Sequence, residues 1–321
     1  MNVSIIIPAY NNARTIGSVL EALKNQEYSE GQVEIIVVDD KSKDSTVEIC
    51  NVDGVRLVQN PQNCGLGYSL NKGIKLSKYE MVVTLHGDTI PLSRTWLSDL
   101  VTPLADPSIA ASCSLQEDPD VLKGRLCLWE KMLLARLDPH GAFNDKADAY
   151  KKDVLAELGY FDYITFRTAG EDEDLVLRLR QSNKKIVATN ARVFHDHYDT
   201  YSSNFGCLKK LLAKEYTFGR AGGALRRKFP FHKPGSYVYP APKSFLSDGF
   251  FRSIICIGSF IPYVQILCIP VLVVFSLPGV IKTVRRTKLH SAFLLYPIFN
   301  IMRYISYTAG YLTGLATRKE R

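Results

Sequence analysis

The segment VSIIIPAYNN (3–12), followed by VEIIVVDDKSKDST (33–46), decides how this chain is read, because each is a short apolar run that ends abruptly in polar residues. Residues 3–7 are a β-prone run stopped by Pro8, and residues 15–25 then carry Ile16, Val19, Leu20 and Leu23 at helical spacing. Residues 33–38 form a continuously apolar strand that ends at Asp39 and Asp40. The pattern recurs with a short strand over 55–59, a helical stretch after Gly65 and Gly67, and a strand over 81–85 that ends at His86, Gly87 and Asp88. Strands apolar on both faces and alternating with helices predict a parallel α/β sheet. In such sheets ligands gather at the carboxyl ends of the strands, where the clusters 10–12, 39–46 and 86–89 all fall.

Beyond residue 106 the alternation loosens. Helices are predicted over 122–137, 152–158 and 171–180, with a loop between the first two holding His140, Gly141 and Asn144. This half reads as the acceptor side of a two-part site. Residues 254–281 run 28 positions without a charge, long enough to cross a bilayer, and a second apolar run over 292–315 is interrupted by Arg303. Pro262, Pro270 and Pro278 bend the first run. A single span would put Lys282, Arg285, Arg286 and Lys288 outside, against the positive-inside rule, so a re-entrant or interfacial arrangement stands beside two full spans.

The charge distribution agrees with a membrane partner. The chain has 321 residues, 46% of them hydrophobic, and a net charge of +8. Residues 216–321 hold 15 Lys and Arg against only Asp248 and Glu320, so the basic excess sits next to the apolar runs. That pairing favours anionic lipid over nucleic acid, and no nucleic-acid motif competes. The seven cysteines are odd in number and form no C-x-x-C pair, which predicts neither a zinc site nor a disulfide framework and fits a reducing, cytoplasmic setting. The first residues, MNVSIIIPAYNN, lack the basic and apolar regions of a signal peptide.

Five clusters carry the chemistry. The Asp39–Asp40 pair suits hydrogen bonds from a base and ribose hydroxyls, or equally an Asx turn leading into the next helix, for which Asp44 and Ser45 serve as caps. Gly65 and Gly67 precede a helix whose exposed amides, with Lys72, suit a phosphate. They match neither a dinucleotide fingerprint nor a Walker loop, which disfavours a nicotinamide oxidoreductase or a P-loop enzyme. Asp88 at a strand end suits a hard divalent cation bridging a diphosphate, with His86 as a ligand or a neutral hydrogen-bonding neighbour. Glu171, Asp172, Glu173 and Asp174 crowd a helix start, where they favour the helix dipole or supply a general base. Finally His195 and His197 sit two apart on an extended stretch, so only one enters a common site.

In this order and at these intervals the clusters resemble glycosyltransferase family 2, whose enzymes have the GT-A fold. The likeness runs over about residues 2–225 and includes NKGI (71–74), AYKKDVLAELGYFD (149–162), GEDEDLVLR (170–178) and KEYTFGRAGG (214–223). The resemblance implies a mostly parallel central sheet and a catalytic domain over 1–225, with a nucleotide-binding half 1–105 and an acceptor half 106–225. A basic linker over 226–253, membrane-associated helices over 254–315 and a basic tail over 316–321 would follow. It implies that Pro8, Tyr10, Asn12 and Asp39, with Asp40 nearby, line the nucleotide pocket. Asp88, the last acid of a D-x-D motif, would hold Mg²⁺ or Mn²⁺ with His195, and Asp172 would be the catalytic base. Glu171, Arg178 and His197 are further candidates, Arg178 either as a helper or as the i,i+4 partner of Asp174.

The departure is His86, which stands where the motif expects an acid. The implied activity is inverting transfer of a sugar from a nucleotide-sugar donor to a lipid-linked or saccharide acceptor, at the cytoplasmic face of a membrane. Two alternatives are a polyprenyl- or dolichyl-phosphate glycosyltransferase and a non-catalytic sugar-nucleotide-binding membrane protein.

Overall fold

The computed structural model describes residues 1–117, 127–134, 140–141, 146–167, 169–196, 203–230 and 292–317, together with individual residues between 255 and 285. The described elements fall into two compact units. The first holds β1 (Val3–Ala9), α1 (Ile16–Lys24), β2 (Val33–Asp39), α2 (Thr46–Cys50), β3 (Val55–Gln59), α3 (Leu66–Leu76) and β4 (Met81–Leu85). It continues through β5 (Thr89–Pro91), α4 (Trp96–Val101) and β6 (Ile109–Glu117). After an excursion into the second unit, β7 (His140–Gly141), β8 (Ala147–Lys151), α6 (Lys152–Glu157), α7 (Glu171–Gln181) and β9 (Lys185–His195) complete it. The second unit contains α5 (Leu128–Leu134), α8 (Asn204–Lys228) and α9 (Ala292–Ala316). Helix α8 therefore groups with α5 and α9.

The sheet order is β3-β2-β1-β4-β8-β6-β9-β5, with β7 on β6. The β3-β2-β1-β4 half is parallel, as expected. The other half is not: β8 runs antiparallel to both β4 and β6, and β5 antiparallel to β9, so the sheet is mixed instead of mostly parallel. It also curls. Four strand spacings separate β4 from β5 along the order, roughly 19 Å if flat, whereas the link from Leu85 to Thr89 reaches at most about 14 Å. Curling brings the β4–β5 link, with His86 and Asp88, beside the end of β9.

Every residue of β1 is buried, with Val3, Ile5, Ile7 and Ala9 in one core and Ile6 in the other. The first core is closed by Ile16, Val19 and Leu23 of α1 and by Trp96 and Leu100 of α4; the second by Leu70 and Ile74 of α3 and by Leu175 and Leu179 of α7. Pro8 extends β1 beyond its expected end because pairing with β4 stops at Ile6, so no bond to β4 is lost for want of an N–H at Pro8. At Gly73 a Cβ would meet Ile6 Cγ2 at 2.3 Å, so α3 lies on the strand only because that side chain is missing.

In the second unit α8 and α9 run in the same direction with their backbones in contact. An added Cβ at Gly219, Gly223, Gly310 or Gly314 would lie 2.0–2.1 Å from a carbonyl oxygen of the other helix. Each helix presents its pair at G-x-x-x-G spacing. The buried Arg303 and Glu215 form an ion pair between them. Cys127 and Cys207 are joined by a disulfide, which corrects the expectation of none. The two lie 80 residues apart and only the approach of α5 to α8 brings them together, so no spacing rule announces them. Among the described residues no helix is long and apolar enough to cross a membrane, which leaves the expected spans without support; most of the 254–281 run lies outside those residues.

Candidate active site

The site is assembled where strands of the first unit end. Beyond β1, Asn11 takes the left-handed conformation (φ 54°), and this turn lets it bind the loop after β2. Its N–H donates to Ser42 Oγ at 2.9 Å and its Oδ1 accepts from Lys43 N–H at 2.8 Å. Asn12 N–H donates to Thr46 Oγ1 at 2.8 Å, and Ala13 N–H to Asp44 Oδ2 at 3.1 Å. These bonds fix Pro8, Tyr10 and Asn12 beside Asp39, with Pro8 and Asp39 buried and Tyr10 exposed. Asp39 accepts from Ser42 N–H at 3.2 Å.

Asp40 and Lys72 lie in a neighbouring network. Asp40 accepts from Asn60 Nδ2 (2.8 Å), Cys64 N–H (2.7 Å) and Gly65 N–H (2.8 Å), so its carboxylate shapes the loop before α3. Lys72 Nζ donates to Gln59 O at 3.0 Å and to Asn60 Oδ1 at 2.9 Å. Gly65 has φ 94° and a Cβ there would lie 2.9 Å from Arg167 O, so this loop tolerates only glycine at its turn.

The first and third clusters touch. A Cβ on Gly87 would lie 3.0 Å from Asn12 Cγ, and Thr15 Oγ1 donates to Gly87 O at 2.7 Å. Next to it, Asp88 Oδ1 is 3.2 Å from Nε2 of His195, which pairing of Thr89 with His195 brings alongside. Asp196 N–H donates to Asp88 O at 2.8 Å, and Arg14 donates to Asp196 Oδ2 at 2.6 Å. The imidazole of His195 is buried and Asp88 is partly exposed. Burial pushes the His195 pKa down, against the pull of Asp88, so the ring is held neutral.

His86 is the point at which the remaining groups converge. Burial drives its pKa down to about 4; Asp88 and Asp172 oppose that shift, and Lys146 adds to it. The fourth cluster thus lies within electrostatic range of the third. Asp172 is in the first turn of α7, half-buried, after Gly170 in the left-handed conformation (φ 93°); its Oδ1 accepts from Glu173 N–H at 2.8 Å. Glu171 beside it is buried. Arg178 adopts the i,i+4 alternative: it donates to Asp174 Oδ2 and to the carbonyls of Leu158 (2.7 Å) and Tyr160 (2.8 Å), bracing α7 against the turn after α6. His197 lies outside the described residues.

Two residues of this region were not legible as candidates. Lys146 precedes β8, and the pairing of Leu85 with Ala147 sets it across from His86, whose N–H donates to Lys146 O at 2.9 Å. Its charge acts on both His86 and His195. Arg14 is the other. Neither belongs to a local pattern, because only strand pairing and the curl bring them in.

The donor set was tested for a divalent cation. Asp88 and His195 offer one oxygen and one neutral nitrogen close together, a partial shell that fits an ion taking its other ligands from phosphate and water. Among the described residues the one group of three candidate ligand atoms is Cys127, Glu130 and Cys207 in the second unit, where the two sulfurs are bonded to each other.

A parallel half-sheet with this loop network, and a carboxylate–histidine centre at its curled seam, make up a mixed α/β fold of the GT-A kind. Residues 4–143 match the family Glycosyl transferase family 2. Among curated relatives, the glycosyltransferase AglE of Haloferax volcanii is 31% identical over 112 residues, covering 33% of this chain and 36% of AglE. The poly(ribitol-phosphate) beta-glucosyltransferase of Bacillus spizizenii is 36% identical over 94 residues, covering 27% and 15% of the two chains. The aligned part thus spans about a third or less of these relatives. The structure is similar to that of the mannosyltransferase PcManGT from Pyrobaculum calidifontis, solved with GDP-Man and Mn²⁺, with a TM-score of 0.60. That match covers 98% of this chain and 87% of PcManGT at 19% identity, a likeness of fold.

Proposed function

We propose that this protein is an inverting glycosyltransferase that moves a sugar from a nucleoside-diphosphate donor to a hydroxyl of a lipid-linked or saccharide acceptor. The observation that carries the reading is the Asp88–His195 pair beside the contact of Gly87 with Asn12 and the bond of His86 N–H to Lys146 O, at strand ends in a stretch that matches glycosyltransferase family 2. Pro8, Tyr10, Asn12 and Asp39 receive the nucleotide, held by the Asn11–Ser42–Lys43 bonds. Asp40 and Lys72 act at one remove, by shaping the loop at Gly65.

Asp88 and His195 would hold a divalent cation, which would supply positive charge to the donor diphosphate. Mn²⁺ in the PcManGT complex supports an ion of that class. Lys146 adds a fixed cation for the departing nucleoside diphosphate, which partly offsets the acid missing at His86. Asp172 accepts the proton of the acceptor hydroxyl, whose oxygen forms the new bond at the anomeric carbon as the bond to the diphosphate breaks. Action at a membrane, with the first unit on the cytoplasmic face, belongs to the same proposal and is supported by the basic excess of residues 216–321.

A thermal-shift screen of nucleoside diphosphates and their sugars, with and without Mn²⁺, tests the reading. One nucleotide series is expected to stabilise the protein, more with Mn²⁺ than without, and Asp88→Ala to remove the Mn²⁺ increment. No stabilisation by any of them contradicts it.

A further inference from the structure

Helix α9 of the second unit has an apolar outer face. Its buried side holds Tyr296, Phe299 and Tyr311 together with the polar Asn300 (3% exposed), Arg303 (8%) and Thr308 (6%), while the outer side shows Leu294 (78%), Ile298 (57%), Ile305 (42%) and Leu312 (47%). Every exposed residue described on that helix is apolar, Ala309, Leu315 and Ala316 included. A helix facing water shows the opposite arrangement. The four large residues are spaced by four and seven, so they form one stripe along the helix, about 27 Å from Leu294 to Leu312. The described residues between 270 and 285 also show apolar side chains outward. Ser276 is buried, as is Val280, and accepts from Asn300 Nδ2 at 3.0 Å, whereas Val273, Val274, Leu277 and Ile281 are exposed.

Helix α8 supplies the complementary half. Its exposed residues include Lys209, Lys210, Lys214, Arg220 and Lys228, interleaved with the exposed aromatics Phe205, Tyr216 and Phe218. The acid described on it, Glu215, is buried against Arg303. Because α8 and α9 run in the same direction, Arg226, Arg227 and Lys228 reach the end of α9, where Arg227 Nη1 donates to Gly314 O at 2.9 Å.

We infer that the α8–α9 pair is a docking surface for an anionic lipid bilayer, lying in the interface with the α9 stripe in the acyl boundary and the α8 cations among the headgroups. The apolar stripe supplies the depth, the lysines and arginines supply preference for negative headgroups, and aromatic rings sit at the boundary. The buried Arg303–Glu215 pair fits this placement, since neither charge is presented to lipid. The inference does not depend on sugar transfer, and its test reads binding alone.

Flotation of the full chain with phosphatidylcholine vesicles, with and without phosphatidylglycerol, is the experiment. The chain is expected to float with the anionic vesicles. Substituting Leu294→Asp, Ile298→Asp and Ile305→Asp together should weaken binding by about tenfold or more, since burying even one such side chain is worth that much. Reversing Lys209, Lys210 and Lys214 to Glu should remove the preference for phosphatidylglycerol. As these side chains are already exposed, the helical circular dichroism should be unchanged. As a second measurement, a fluorophore attached at Ile305→Cys should be quenched by brominated acyl chains. An absence of flotation overturns the proposal, as does flotation indifferent to the α9 substitutions. A dimer in solution that the α9 substitutions dissociate, with no vesicle binding, overturns it in favour of a second copy on this face.

Discussion

The two units differ in what their helices leave uncovered. In the first, α7 buries Leu175, Val176 and Leu179 with Asp174 and keeps Arg180 outside; in the second, α9 buries Tyr296, Phe299 and Tyr311 with Asn300, Arg303 and Thr308 and keeps Leu294, Ile298 and Ile305 outside. Composition already separates them, since α7 carries six charged residues in eleven and α9 one in twenty-five. Which side of each helix its neighbours cover adds to the difference: the exposed side of α7 is charged and that of α9 is apolar.

Substitutions that attack this contrast differ in expected size. The largest effect falls on Glu215→Ala, which leaves Arg303 buried without its acid and should destabilise the second unit by roughly 3–5 kcal/mol. Chemical denaturation of the variant, followed by helical circular dichroism, checks this. Equal stability of the variant and the parent would show that the pair contributes nothing. Next comes Ile6→Ala, expected to cost about 2–5 kcal/mol because the side chain is fully buried beneath α3 at Gly73. Lys146→Ala is smaller and local: a loss of about tenfold or more in kcat, with the melting temperature kept, as for a lost charge-assisted contact. Smallest is Ile305→Asp, for which stability in water should shift by no more than about 0.5 kcal/mol, as at an exposed position. A large loss there would mean that α9 is covered in solution and that the contrast is false.

Much of this was legible from local pattern. The strands at 33–38, 55–59 and 81–85 and the helix at 171–180 match the observed β2, β3, β4 and α7 to within a residue, because each is bounded by an abrupt change from apolar to polar residues. What was not legible is non-local. Strands β5 and β7 are three and two residues long, too short to show a period, and β8 runs directly into the helix that follows it with no turn residue to mark its end. The mixed half, with β6 parallel to β9 but β8 and β5 antiparallel to their neighbours, and the curl therefore could not be foreseen, nor could Lys146, which enters the site only through the pairing of β8 with β4. Asp40 and Lys72 show the converse. Their residue types suit a nucleotide, yet each is bonded to the loop that shapes the pocket. The apolar outer face of α9 was half visible: the apolar runs and basic excess stand in the sequence, but not which side of α9 is left uncovered.

The most direct test of the central claim is single-turnover release of nucleoside diphosphate from the stabilising sugar donor, in the presence of acceptor, by the parent protein and by Asp172→Asn. Loss of a general base is expected to slow release by roughly 10²–10⁴-fold while donor affinity stays within about twofold, because the proton and not the donor is what Asp172 handles. Release at the parent rate by Asp172→Asn would contradict the account and indicate an acceptor that needs no deprotonation.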